Sequence, residues 1–162
     1  MSKSKIIGMT VLVVFAMSIL LVGNVVAGEY AKGRQVMHNT KWEQINVGDE
    51  KDHVVGIGEY KGIQTNMEGK PFMDGFLVYV VAYYDISPKT GVTANGYTTN
   101  TDKDGDKIYG KWDQKGLSGN WAYYKGTGKY VGIKGNGTWS WVPSADPTMG
   151  YSSWEGEVEL PR

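Results

Sequence analysis

The chain contains no cysteine and only two arginines, Arg34 and Arg162, and its 17 basic residues are balanced by 17 acidic ones. The missing cysteine excludes disulfide scaffolds, thiolate zinc sites, Fe–S clusters and thiol nucleophiles together. Balanced charge leaves no basic field for nucleic acid. Scarce arginine removes the side chain best suited to grip a carboxylate with a fork of two hydrogen bonds. Beyond residue 30 no apolar stripe of 3.6-residue period recurs, and no G-x-S-x-G segment is present, so a nucleophile elbow is excluded.

What is present is aromatic and small. The 162 residues include 23 glycines, 11 tyrosines and 6 tryptophans, with glycine at about twice its ordinary usage, which disfavours long helices. The length suits one domain.

Residues 1–27 belong to another regime. Lys3 and Lys5 precede the uncharged run at residues 6–22, and Val25 and Ala27 are small residues spaced as a signal peptidase prefers. The segment reads as a cleaved signal peptide ending at Ala27, with Gly28 as the adjacent alternative; the apolar run is short for a spanning helix, which needs about 20 residues. Removing it takes away two lysines and no acids, leaving a net charge of −2 and 19 aromatics in 135 residues. The expected product is exported, periplasmic or secreted, without stable membrane insertion, and held together by apolar burial alone.

The remaining chain reads as a flexible leader at 28–33 and a β domain at 34–162. Strands are expected at 34–47, 53–63, 72–85, 92–99, 107–113, 119–125, 136–142 and 151–160. The last is the clearest: Trp154, Gly156, Val158 and Leu160 alternate with Glu155, Glu157 and Glu159. From Phe76 to Tyr84 both faces are apolar, which predicts cover on both sides, by a second subunit or by the barrel wall and a loop. Turn chemistry falls at Glu68-Gly69, Ser87 to Gly91, Asp104-Gly105, Ser118-Gly119 and Gly135-Asn136-Gly137. The pattern predicts an all-β, antiparallel, roughly eight-stranded barrel or a sandwich.

The sequence GxGxYxGI occurs twice, at residues 56–63 and 126–133. Neither copy opens a helix after a strand, so a dinucleotide site is excluded, and close backbone packing explains the glycines. The segments GTGKYVGIKGNGTW (126–139), TDKDGDKIYGKW (101–112) and GDEKDHVVGIGEYKG (48–62) resemble bacterial exported relatives of the allene oxide cyclase and dirigent barrels. The resemblance spans nearly all of residues 34–161. It implies a calycin-type, eight-stranded up-and-down barrel, and no catalytic residue carries over on a matched motif.

The candidate site residues follow from chemistry. Trp112, Trp121, Trp139, Trp141 and Trp154, with Tyr60, are placed to line a cavity for an apolar or planar ligand; the same residues would serve equally to fill a barrel core. Glu59 lies in a half-buried segment, where burial would raise its pKa, yet alternation groups it with Lys61 and favours the outer wall. His53 and Asn95 are further candidates for a buried polar group. His38 and His53 with Glu59 could ligate a transition metal, but no spacing forces them together. Asp102, Asp104 and Asp106 could bind a hard cation, although a polar hairpin turn demands the same residue types. No metal or cofactor is expected. The role expected is non-catalytic, either binding a small apolar or aromatic ligand or serving as a structural envelope component. The alternatives are a cofactor-free isomerase or cyclase, as the resemblance implies, and a surface glycan module built on Trp139 and Trp141. Homo-oligomerisation is expected from the doubly apolar stretch.

Overall fold

The computed structural model of the chain describes residues 28–146 and 148–161. The expected signal peptide, residues 1–27, lies outside the described residues. Eight strands follow in order: β1 (Glu29–Asn46), β2 (Val54–Asn66), β3 (Phe76–Ser87), β4 (Gly91–Thr101), β5 (Lys107–Lys115), β6 (Ser118–Gly126), β7 (Lys134–Pro143) and β8 (Met149–Glu159). Each pairs antiparallel with its neighbours in sequence, and β1 also pairs with β8, closing the sheet into an up-and-down barrel. This is the expected all-β architecture.

Two local expectations are corrected. Residues 29–33 are not a leader: they open β1 and pair with β8, Glu29 against Val158 and Gly33 against Trp154. Without them the second half of β8 would be an open edge. Gly135-Asn136-Gly137 is not a turn but part of β7. The two GxGxYxGI copies are also structurally unlike, since the first lies within β2 and the second runs from the end of β6 through the 3-10 turn Gly128–Tyr130.

The glycines make room for indoles. Across the ladders Trp154 faces Gly33, Trp42 faces Gly58, Trp112 faces Gly96, and Trp121 and Trp139 face Gly137 and Gly119. A Cβ on Gly96 would come within 2.8 Å of the Trp112 ring, and one on Gly156 within 2.7 Å of Trp121. The rings of Trp42, Trp112, Trp121, Trp141 and Trp154 each lie over a position that lacks a side chain, the large-with-small complementarity that close packing requires.

The two ends of the barrel differ. At one end the connection between β2 and β3 and the one between β6 and β7 fold inward, burying Met73, Phe76, Ile108, Tyr130, Ile133 and Val158. Met73 is fully buried at φ 62°. A left-handed non-glycine residue costs about 1–2 kcal/mol, and burying its side chain contributes about 1.5–3 kcal/mol, so burial holds the loop in this conformation. At the other end, which bears the connections at 47–53, 88–90 and 116–117 and the one between β7 and β8, no described residues form such a plug.

Candidate functional site

The interior above the plug is a cavity of about 370 Å³. It extends from the buried floor to exposed rim residues such as Trp42 and Leu117, giving a cup with one mouth. Indoles from β5 to β8 form one wall, with Trp112 edge-on to Trp139 (centroids 5.4 Å apart) and Trp121 edge-on to Trp154 (5.9 Å). These T-shaped contacts suit the aromatic quadrupole. Trp121 and Trp139 are fixed by hydrogen bonds from their Nε1 atoms to the Thr138 and Asp113 carbonyls, at 3.1 and 2.9 Å.

The opposite wall is polar at its base. Gln35 Nε2 donates to Gln64 Oε1 at 2.6 Å, and Ser152 Oγ donates to Gln35 Oε1 at 3.4 Å. Gln64 and Asn100 are buried, and both line the cavity. Gln64 Nε2, Asn100 Oδ1 and the Nε1 atoms of Trp112 and Trp154 are buried with no hydrogen-bond partner.

No Asp, Glu, Lys, Arg or His is among the described residues lining the cavity. Its ionisable groups are tyrosines. Burial, followed by the neighbouring Tyr60, pushes the Tyr84 hydroxyl far above its ordinary range, and burial does the same to Tyr123. Both remain neutral donors at any physiological pH.

Of the residues singled out in the sequence, Tyr60, Trp112, Trp121, Trp139, Trp141 and Trp154 all line the cup. Glu59 does not: it lies on the outer face, where Tyr79 Oη donates to its carboxylate at 2.8 Å. Asn95 also faces outward, whereas Asn100, on the inward row of the same strand, is buried. Trp139 and Trp141 line the interior, so they form no platform on the outer wall. Several inward groups escaped the sequence reading, Gln64, Asn100 and Trp42 among them. Gln64 and Asn100 share parity with Tyr60 and Ala94, a signal that was available. Trp42 had no such signal: a register shift between Asn39 and Lys41 reverses the alternation in β1 and turns its indole into the mouth, 5.2 Å from Tyr84.

Two charged clusters lie outside the cup. At the rim, His53 Nδ1 meets Asp49 Oδ1 at 2.6 Å and Nε2 meets Asp85 Oδ1 at 3.0 Å, tying the β1–β2 connection to β3. The hydrogen bond to Asp49 raises the His53 pKa; burial opposes it, and the hydrogen bond to Asp85 adds a smaller rise, leaving the group above its ordinary value. Beside it Ser87 Oγ donates to Glu50, which also pairs with Lys89 at 2.7 Å. At the plugged end, Asp102 Oδ1 accepts the backbone N–H groups of Asp104 and Asp106, each at 2.9 Å. The Lys129 ammonium sits 2.5 Å from Asp102 and 2.7 Å from Asp104, so the carboxylates of this turn are met by a cation from the chain itself. Among the described residues no group of three or more His, Asp or Glu side chains is arranged to hold a metal.

No family model matches the chain, and no curated protein matches it. Among solved structures it is similar to the pterocarpan synthase dirigent protein GePTS1, with a TM-score of 0.54 and 10% identity over 87% of this chain and 94% of that one. It is likewise similar to the pterocarpan synthase dirigent protein PsPTS1, with a TM-score of 0.53 and 12% identity over 84% and 98%. A pyocyanin demethylase aligns with a TM-score of 0.48 and 16% identity over 79% and 99%. The chain thus has the fold of a dirigent-like eight-stranded barrel.

Proposed function

We propose that the protein is an exported, non-catalytic binder of a small, uncharged, planar ligand, held in the cup against the indole wall. The observation that carries this reading is the lining: an open cavity walled by tryptophan and tyrosine, with no charged side chain among the described residues. Such a surface favours flat apolar rings and offers a charged guest no counterion. A cofactor-free isomerase or cyclase steered by cavity shape is the rival, and is not preferred because no His, Asp, Glu or Lys is among the described lining residues to move a proton. The test is fluorescence titration with N-phenyl-1-naphthylamine, a neutral environment-sensitive probe. Binding that is lost in Val80→Trp, which fills the cup from its wall, is the expected result. No binding, or binding unchanged in the filled variant, would overturn the reading.

Export is part of the same proposal. It rests on the basic start, the apolar run and the small residues before Gly28, and a mature N-terminus at Gly28 or Glu29 in material from the native envelope would support it.

We further propose that the outer face of β2 and β3 contacts a second copy of the chain. The inward Phe76, Val78, Val80 and Ala82 of β3 are buried, but Leu77 and Tyr83 are 60% and 45% exposed, so among the described residues the doubly apolar stretch is covered on one side only. The outward row of β2 reads Ile57, Glu59, Lys61, Ile63. Antiparallel to itself about a twofold axis, this row sets Ile57 against Ile63 and Glu59 against Lys61, the self-complementarity an isologous contact needs. Sedimentation should show a dimer at micromolar concentration that dissociates in Leu77→Lys/Tyr83→Lys; a monomer throughout would remove the proposal.

A further inference from the structure

Away from the cup, the outer wall of β4 to β6 gathers aromatic rings and cations. In a regular strand neighbouring residues face opposite ways, and Tyr123 of β6 faces the cup. A register shift follows it: Gly110 pairs with Tyr123 and Tyr109 with Lys125, so Tyr124 is an extra residue with no counterpart on β5. This bulge sets Tyr124 and Lys125 together on the outer face, where both are exposed; re-aiming a side chain at the expense of the ladder is what bulges do. Tyr124 comes to lie between Tyr97 and Tyr109, with ring centroids 6.3 and 6.4 Å away. The Lys125 ammonium stands 5.7 Å from the centre of the Tyr109 ring, and Lys111 is paired directly with Tyr97 across the β4–β5 ladder.

Packing does not account for this arrangement. Tyr97 and Tyr124 are 61% and 52% exposed, and an exposed cross-strand aromatic contact stabilises a sheet only slightly. The charges are also sorted, although the whole chain is balanced. β4, β5 and β6 hold four lysines and one carboxylate, Asp113, and Asp113 is occupied by the backbone N–H and Nδ2 of Asn120. Among the described residues no carboxylate meets Lys111 or Lys125.

Independently of the cup, we propose that this face binds an acidic oligosaccharide, a chain of sugar rings bearing carboxylates. The negative face of an aromatic ring attracts the weakly positive C–H groups that line one face of a pyranose, so the tyrosines support successive rings. Lys111 and Lys125 donate to the carboxylates at the ring edges. A single-stranded nucleic acid would stack as well, but its affinity comes from neutralising many phosphates, and two lysines among the rings are few. An acidic peptide brings charge without rings for the tyrosines to support.

The test compares four probes by calorimetry in EDTA: tetragalacturonate, its methyl ester, tetraglutamate and an oligothymidylate of equal length. Tetragalacturonate should bind and shift the ring signals of Tyr97, Tyr109 and Tyr124 in NMR spectra. The ester keeps the rings without the charge and tetraglutamate keeps the charge without the rings; each should bind at least about fivefold more weakly, the factor expected from losing either set of contacts. Lys111→Gln/Lys125→Gln and Tyr124→Ala should weaken tetragalacturonate by a similar factor while retaining the folded circular dichroism spectrum. The lysine pair carries the comparison if Tyr124→Ala fails to fold. Equal binding of the ester or of tetraglutamate would overturn the proposal, and so would unchanged affinity in the variants. Tightest binding of oligothymidylate would overturn it in favour of a nucleic-acid surface, and no binding of tetragalacturonate would remove it. None of these outcomes bears on the cup, so the two sites stand or fall separately.

Discussion

Gly150 lies beneath the Trp141 indole at the mouth of the barrel, and a methyl group at position 150 would overlap that ring and meet nothing else as closely. Gly150→Ala should therefore destabilise the protein by about 1–3 kcal/mol, the usual effect of overpacking. Trp141→Leu in the same chain should recover much of that loss, because it removes the atoms that collide. Urea denaturation of the two single variants and the double variant checks this; simple additivity would show that the strain lies elsewhere.

The plug depends on Met73, which is fully buried. Met73→Ala should lower stability by about 2–5 kcal/mol and open the cup from below, so that bound N-phenyl-1-naphthylamine becomes accessible to iodide quenching. A loss of less than 1 kcal/mol, in the range of surface substitutions of about 0.5 kcal/mol, would mean that the loop is held by other contacts.

The rim clamp should respond to pH. Its partners raise His53 above its ordinary value, near 6.5 in an unfolded chain. A raised folded pKa makes the His53 contribution fully present below about pH 6.5 and lost as pH climbs through the folded value. Thermal melts of the protein should therefore fall relative to His53→Gln as pH rises from mildly acidic to mildly alkaline. Parallel curves for the two proteins would exclude the clamp.

The aspartate turn should behave in the opposite sense. Hydrogen bonds from Lys103 and then Lys129 push the Asp104 carboxyl down to about 2. Burial alone would raise Asp102, but the Lys129 ammonium and the two backbone N–H groups outweigh it and hold the group below its ordinary range. Depressed carboxyl pKa values stabilise the fold above the unfolded value of about 3.9 and cease to do so as pH falls through the folded value. Lys129→Met should raise both pKa values and move acid unfolding to higher pH, as read by carboxyl NMR and circular dichroism. Calcium and EDTA should leave the melting temperature of the unsubstituted protein unchanged, since Lys129 already meets the carboxylates a cation would need.

Glu59 provides a contrast on the outer wall. Glu59→Gln should leave probe binding in the cup unchanged while lowering the pKa of Tyr79, which its hydrogen bond to the Glu59 carboxylate now raises. An altered probe affinity would place the carboxylate in contact with the interior.

Composition and alternation alone determined that this is a cysteine-free β domain of about eight strands, and the two-residue period of β8 and the inward parity of Tyr60 could be read directly, because the pleat is a local property of the backbone. Which indoles share a cavity, and whether any cavity remains, followed only from closure. The diameter of the barrel, the pairing of each tryptophan with a glycine on the neighbouring strand and the inward fold of the Met73 loop depend on strands distant in sequence. Trp42 is the sharpest case. Strict alternation sends it outward with Val36 and His38, and it faces the mouth because the β1–β2 register slips between Asn39 and Lys41, a displacement that exists only once two strands are held side by side.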